Sequence, residues 1–324
     1  MRLVASRAPA TDLIHLPRKV AGAFQTMNLS KKRFQKVAVL MGGPSSEREV
    51  SLRSGAAVAN GLRERGYVVF EVIVGTDCCF EVPAGTEVAF VALHGRFGED
   101  GTIQTLLHQQ GIPHTGSSPE ACARSFDKSR SKPVLAAAGI PTPGFEFLRK
   151  GQARTLDLPV VVKPVRQGSS VGVSRVFAEE EWPAALELAL GYDDIALVEE
   201  FVPGRELTVG VVGGVVLPLL EIVAPDGFFD YRAKYTDGVS RHVYPNDIPP
   251  ETVRACQAAA RATFQALGCA GMARVDIRLR PDGKFFVLEL NNIPGMTPIS
   301  LLPDAARAHG WSFSELCEII LNLV

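Results

Sequence analysis

The chain has 324 residues, with 34 Lys and Arg against 35 Asp and Glu, and 46% of it is hydrophobic. At roughly 100–200 residues per domain this length accommodates two or three domains, each burying its own core. Charge so close to balance excludes a nucleic-acid backbone or an anionic membrane as the main partner, and the apolar content excludes disorder over most of the length. The most apolar stretch, residues 207–220, is broken by Gly210, Gly213, Gly214 and Pro218 and falls short of the ~20 residues a membrane helix needs.

Six cysteines (Cys78, Cys79, Cys122, Cys256, Cys269, Cys317) show no C-x-x-C spacing. They read as buried free thiols of a reducing compartment, and no secretory signal is evident, so a cytoplasmic location is expected. Residues 1–35 are basic, with Asp12 as their one acid. They read as a disordered tail, or as a start assigned too early with Met27 as the real one, over the alternative of an organelle-targeting segment, which is Arg-rich and poor in acids.

From Lys36 strands and helices alternate. Residues 37–41 read as a buried strand, followed by Gly42-Gly43-Pro44 and a helix over about 47–65 that Gly66 ends. Strands are expected at 68–74 and 89–93, and a helix at about 101–110. This α/β pattern implies a doubly wound parallel sheet over residues 36–120. A second unit, 121–202, opens with helical sequence over about 118–138, in which Pro133 predicts a kink or a new helix from Ser131. Strands at 159–164, 171–176 and 196–200 and a helix at 179–190 suggest a small antiparallel sheet. The third unit, 203–324, carries strands at 206–212 and 215–220, a polar loop over about 224–245, and a helix at 251–267. A loop that long is often a functional lid.

Three places carry chemistry. In residues 271–280 the apolar Ala273, Val275, Ile277 and Leu279 alternate with Arg274, Asp276, Arg278 and Arg280, and Pro281-Asp282-Gly283 predicts a hairpin into the strand that ends at Asn291. A turn centred near Asp282 sets Asp276 opposite Glu289 and Arg274 opposite Asn291 on one face. Two carboxylates and an amide oxygen suit Mg²⁺ that shares its shell with phosphates, and Arg274 suits a developing anion. A solvated face of ordinary salt bridges is the bland alternative. Second, Lys163 ends a buried strand beside the turn Gln167-Gly168-Ser169-Ser170, where an ammonium and backbone N–H groups can meet phosphate. Third, Glu47 and His94 follow strand ends, the place where open α/β sheets bind ligands.

Along residues 36–324 the chain resembles the D-alanine:D-alanine ligases of the ATP-grasp superfamily. The match rests on GGPSSEREVSLRSG (42–55), LHGRFGEDG (93–101), DKSRSK (127–132), VVVKP (160–164), QGSSVGVS (167–174), FFDYRAKY (228–235), GCAGMARVDIRL (268–279) and LELNNIPGMTPISLLP (288–303). The resemblance implies an α/β, ATP-grasp fold and ligation of two D-alanines through a D-alanyl phosphate for peptidoglycan synthesis. ATP would be the second substrate, with two Mg²⁺ ions (Mn²⁺ able to stand in) and a homodimeric assembly. It implies that Lys128 and Lys163 contact phosphates under a lid containing Gly168 and Ser170, with Lys234 also at the nucleotide. Glu199, Glu200, Phe201 and Val202 would pass along the adenine, and Glu206 would hold the ribose. Asp276, Glu289 and Asn291 would bind metal, Glu289 bridging the two ions. Glu47 would anchor the ammonium of the first D-alanine, with His94 near its carboxylate, and Ser169 and Tyr235 would link to Glu47. Arg274 and Gly295 would form the oxyanion site, and Ser300 with Leu301 the subsite of the second D-alanine.

The chain departs from the family pattern at Gln167, where an acid is frequent, at Arg232, where some relatives carry Glu, and at Asn292, where Thr is common. Two rival readings follow: a ligase using D-lactate or D-serine as acceptor, disfavoured by Tyr235, and a nucleotide-binding regulatory protein without catalysis.

Overall fold

The computed structural model describes residues 32–223 and 241–324. Arg232, Lys234 and Tyr235, with most of the expected 224–245 loop, lie outside the described residues.

Strand β1 (Lys36–Gly42) is buried from its second residue onward, as a central parallel strand should be. It pairs in parallel with β2 (Val68–Val74) on one side and β3 (Val88–Val91) on the other. Helix α1 (Arg48–Glu64) follows β1 and ends where Gly66, at φ +76°, donates to the Arg63 carbonyl. Helix α2 (Thr102–Gln109) packs Ile103 and Leu107 into the same core. The carboxyl ends of β1 and β3 thereby deliver the Glu47 and His94 loops side by side.

The helical stretch that follows breaks earlier than its proline suggests. It forms α3 (Pro119–Phe126) and α4 (Lys128–Ala137), with Pro133 inside the second. The break is at Asp127, which takes an extended conformation and caps the new helix by accepting from the Ser129 amide at 2.9 Å. An antiparallel sheet follows, of β4 (Phe145–Leu148), β5 (Val160–Pro164), β6 (Ser174–Val176) and β7 (Ala196–Glu200), in the order β4-β7-β5-β6. Helix α5 (Trp182–Tyr192) packs against it, behind a 3₁₀ turn at Glu179–Glu181. The strand expected from residue 171 begins only at Ser174, because Val171 and Val173 stay in the glycine turn and line a cavity instead.

The third sheet has β8 (Arg205–Val212), β9 (Val215–Val216), β10 (Leu220–Val223), β11 (Arg241–Val243), β12 (Met272–Leu279) and β13 (Phe285–Asn291). Its order is β11-β10-β8-β12-β13, with β9 on β8. The single strand expected at 215–220 is therefore two, with Pro218 between them, and part of the expected loop is strand β11. Helix α6 (Pro250–Ala266) covers the face bearing Leu207, Val209, Val275 and Ile277. Two helices that the sequence pattern did not announce, α7 (Leu301–His309) and α8 (Phe313–Asn322), bury Leu302, Leu316 and Ile320 in the same cluster as β1 and α1.

Candidate active site

The β12–β13 hairpin is the centre of the site. Asp276 pairs with Glu289 and Arg274 with Asn291, as the turn predicts, but the ladder reaches that register only through a β-bulge. Nearer the turn Ile277 faces Val287, so an unbroken ladder would set Asp276 against Leu288 and turn Glu289 toward the core. Leu288 is the extra residue instead. The hydrophobic pattern explains why: Val287 and Leu290, three apart, are both buried in the cluster under α6, which the bulge allows. Arg274, Asp276, Glu289 and Asn291 therefore share the face away from that core.

Each charge on this face has a counter-charge of the chain itself. Arg274 donates from Nε and Nη2 to the two oxygens of Asp276, both at 2.9 Å, and the Thr208 hydroxyl donates to Asp276 at 2.7 Å. Glu289 takes the Lys128 ammonium at 3.1 Å, and Lys128 also donates to the Gln167 carbonyl at 2.8 Å. The Asn291 side-chain oxygen accepts from the Ile293 amide at 3.0 Å. Two carboxylates and an amide are hard oxygen donors that fit a small divalent cation. Among the described residues no group of three or more His, Cys, Asp or Glu side chains could by itself hold a metal ion. This donor set is thus no self-sufficient cage, and water or phosphate oxygens must complete a cation's shell.

Two cavities meet at the hairpin. The smaller, about 100 Å³, is lined by Lys128, Lys163, Glu199, Glu206, Phe201 and Glu289, among others. Gly168 and Ser170 of the glycine turn close its rim. Ser169 and Ser170 lie in the left-handed region at φ +49° and +60°, strain that a functional turn can hold. Glu199 lines this cavity beside Glu200, Phe201 and Val202, with its side chain buried between two ammonium groups, Lys132 and Lys163. Its ionised form is held by those lysines against burial, which pulls its pKa the other way. Glu200 turns to the Gly144 amide (3.1 Å), Glu206 pairs with Arg278 at 3.1 Å, and the Val202 carbonyl accepts from Arg278.

The larger cavity, about 990 Å³, brings Glu47, His94, Arg274, Gly295, Ser300 and Leu301 together. Glu47 is buried, accepts from the Ser169 hydroxyl and so ties the β1 loop to the glycine turn. Gly95 must be glycine: its φ is +72°, and a Cβ would stand 2.8 Å from a Glu47 oxygen. His94 has both ring nitrogens engaged. Nδ1–H donates to the Ile293 carbonyl at 3.0 Å, and Nε2 accepts from the Ser54 hydroxyl at 2.9 Å, which in turn accepts from the Met296 amide. Burial lowers its pKa and keeps the ring neutral. His94 thus holds the loop bearing Gly295 and presents no free ring nitrogen. Ser300 occupies the N-cap position of α7, yet its hydroxyl points at Thr297 rather than capping the helix.

Three residues here were given no site role by the sequence reading. Glu99, in the LHGRFGEDG loop, is buried and accepts from the Gly95 amide at 2.9 Å. Burial first, and the Glu47 charge second, push its pKa up to about 8 against the pull of Gly95, Arg274 and Lys128. Asn292 donates to the Glu99 carbonyl (2.9 Å) and the Ser125 hydroxyl (2.7 Å), clamping the end of β13 to the His94 loop and α3. Lys132 is the third. Its signal was spacing: Lys128 and Lys132, four apart, share a helix face that turns inward.

Comparison with known proteins places these features. A family model described as "D-ala D-ala ligase C-terminus" matches residues 134–322, more than half of the chain, and one described as "D-ala D-ala ligase N-terminus" matches residues 78–117. A "D-alanine--D-alanine ligase" of Syntrophotalea carbinolica is 50% identical over 291 residues, covering 89% of this chain and 95% of that protein. Among solved structures, the VanG D-Ala:D-Ser ligase of Enterococcus faecalis matches with a TM-score of 0.81 at 30% identity, covering 90% of this chain and 99% of the other. The D-alanine--D-alanine ligase of Bacillus anthracis complexed with ATP matches with a TM-score of 0.76 at 30% identity, covering 89% and 97%.

Proposed function

The chain belongs to the D-alanine–D-alanine ligase family, with the ATP-grasp fold, and on that premise we propose that it joins two D-alanines to D-alanyl-D-alanine with conversion of ATP to ADP and phosphate. The observation that carries the reading is the hairpin face: Arg274, two acids and an amide stand between a cavity bearing Lys128 and Lys163 and one built around Glu47.

The chemistry follows from charge. A carboxylate is a poor electrophile, so a carboxylate oxygen of the first D-alanine attacks the γ-phosphorus, ADP departs, and an acyl phosphate remains. Glu47 holds the ammonium of that D-alanine, while Lys128 and Lys163 offset the repulsion between its carboxylate and the triphosphate. The neutral amine of the second D-alanine, its carboxylate at Ser300 and the amino end of α7, attacks the acyl carbon, and the carbon–oxygen bond to phosphate breaks, the amine's surplus proton leaving with the phosphate. Arg274 and the Gly295 amide stabilise the oxyanion between those events, worth ~3–4 kcal/mol for one good donor. Asp276, Glu289 and Asn291 would hold two Mg²⁺ ions, or Mn²⁺, whose contribution is to neutralise phosphate charge. The Ser169–Glu47 contact draws the glycine turn over the acyl phosphate and keeps water from it.

No helix of the described residues is long and apolar enough to cross a membrane. A cytoplasmic homodimer is the setting we infer for an ATP-dependent step of peptidoglycan precursor synthesis.

Likeness in shape alone does not choose the acceptor, since the similar VanG protein is named a D-Ala:D-Ser ligase; identity to D-alanine--D-alanine ligases favours D-alanine. The test is phosphate release with D-alanine alone, and with D-serine or D-lactate added, the products identified by mass. D-alanine alone should sustain turnover and yield the homodipeptide. Mixed product in preference to it would establish the rival acceptor, and no D-alanine-dependent release at all would establish the non-catalytic reading.

A further inference from the structure

Lys132 has no part in the scheme above, yet it is among the most completely buried side chains, at 1% exposure. Its ammonium lies 2.5 Å from Oε1 of Glu199, itself 2% exposed, while the other Glu199 oxygen takes Lys163. Lys132 also donates to the Thr142 hydroxyl, which passes a hydrogen bond to the Val287 carbonyl at 2.8 Å, and it sits 5.6 Å from the centre of the Phe145 ring. Lys163 and Glu199 line the smaller cavity; Lys132 stands behind them.

The charge count is the informative feature. Burying an ammonium is costly unless it is paired, and one carboxylate suffices to neutralise one lysine. A Lys163–Glu199 pair alone would bring no net charge to the cavity wall. With Lys132 held as an ammonium by Glu199 against the burial that lowers its pKa, the group carries one positive charge in excess, in a place where water screens it poorly. Glu199 no longer needs the whole of Lys163.

We propose that Lys132 is a positioning residue for nucleotide binding: by sharing Glu199 it leaves the Lys132–Glu199–Lys163 group with a surplus positive charge at the cavity wall, directed at the polyphosphate tail. This deepens the nucleotide reading of that cavity and rests on it. The surplus acts on phosphates and is indifferent to a nucleoside.

The test uses the full chain and two probes, ADP and adenosine, titrated by calorimetry against wild type, Lys132→Met, Lys132→Gln and Lys132→Arg, with a thermal melt of each. Lys132→Met leaves Glu199 still paired with Lys163, so no carboxylate is orphaned; should it fail to fold, Lys132→Gln, which keeps a hydrogen-bond donor without charge, carries the same expectation. ADP affinity should fall about tenfold or more in the uncharged variants and adenosine affinity by less than about twofold, with Lys132→Arg staying within about threefold of wild type for both. Unchanged ADP affinity in a folded uncharged variant, or equal loss for ADP and adenosine, would overturn the inference. Wild type that binds neither probe would instead bring down the nucleotide reading itself.

Discussion

The two cavities on either side of the hairpin are built on opposite terms. The larger is kept open by backbone fixtures: Gly95 beside Glu47, and the His94–Ser54 chain under residues 293–296. The smaller is walled by the Lys163–Glu199 pair and shares the Lys128–Glu289 pair with the larger. An amino acid therefore enters a space already shaped for it, whereas phosphates meet lysines already engaged by the chain's own carboxylates, drawn by the surplus charge beside Lys163. Changes around the first cavity should appear mainly in the amino-acid KM, and changes along the hairpin mainly in kcat.

The largest expected effect falls on the hairpin. Arg274→Ala removes an oxyanion donor and leaves Asp276 without its two-pronged partner, so kcat for ADP release should drop about 10²–10³-fold at saturating D-alanine. A loss confined to the KM for D-alanine would erase the contrast between the two sides. Next comes Gly95→Ala. A Cβ in the left-handed region, 2.8 Å from Glu47, should destabilise the chain by ~1–3 kcal/mol in a denaturant melt and raise the D-alanine KM while sparing that for ATP. An equal rise for both substrates would show that the cavities are not separately built.

The third prediction is a pH dependence of stability. Glu99 is pushed up to about 8 from an ordinary value of 4.5, first by burial and then by Glu47. Its folded form holds a proton more tightly than its unfolded form, so its favourable contribution is complete below the ordinary value and is lost as pH rises through about 8. Glu99→Gln keeps a neutral group of the same shape. The Tm of the variant relative to wild type should climb across that window and level off above it. A difference that stays flat with pH would mean that Glu99 is ionised throughout.

The hairpin was legible because strict alternation and a Pro-Asp-Gly turn leave few registers open. Its bulge was not, since it follows from Val287 and Leu290 sharing one core, which only the packed sheet decides. The helix break was misplaced because Pro133 is the louder local signal, while Asp127 acts through a cap. Helices α7 and α8 went unread because the apolar faces they bury meet β1 and α1, more than 200 residues away in sequence. Glu199 was expected to lie along the adenine from its motif alone. That it sits between two lysines depends on α4 bringing Lys132 under the second sheet, a tertiary fact with no local trace.

The central claim is that a D-alanine carboxylate is phosphorylated and then displaced at the hairpin face. Turnover of D-alanine labelled with oxygen-18 in its carboxylate tests it most directly, with the released phosphate analysed by mass. The account predicts one labelled oxygen carried into each phosphate, in wild type, and no D-alanine-dependent phosphate from Glu289→Gln. Phosphate released without label, or a Glu289→Gln variant that turns over like wild type, would contradict it.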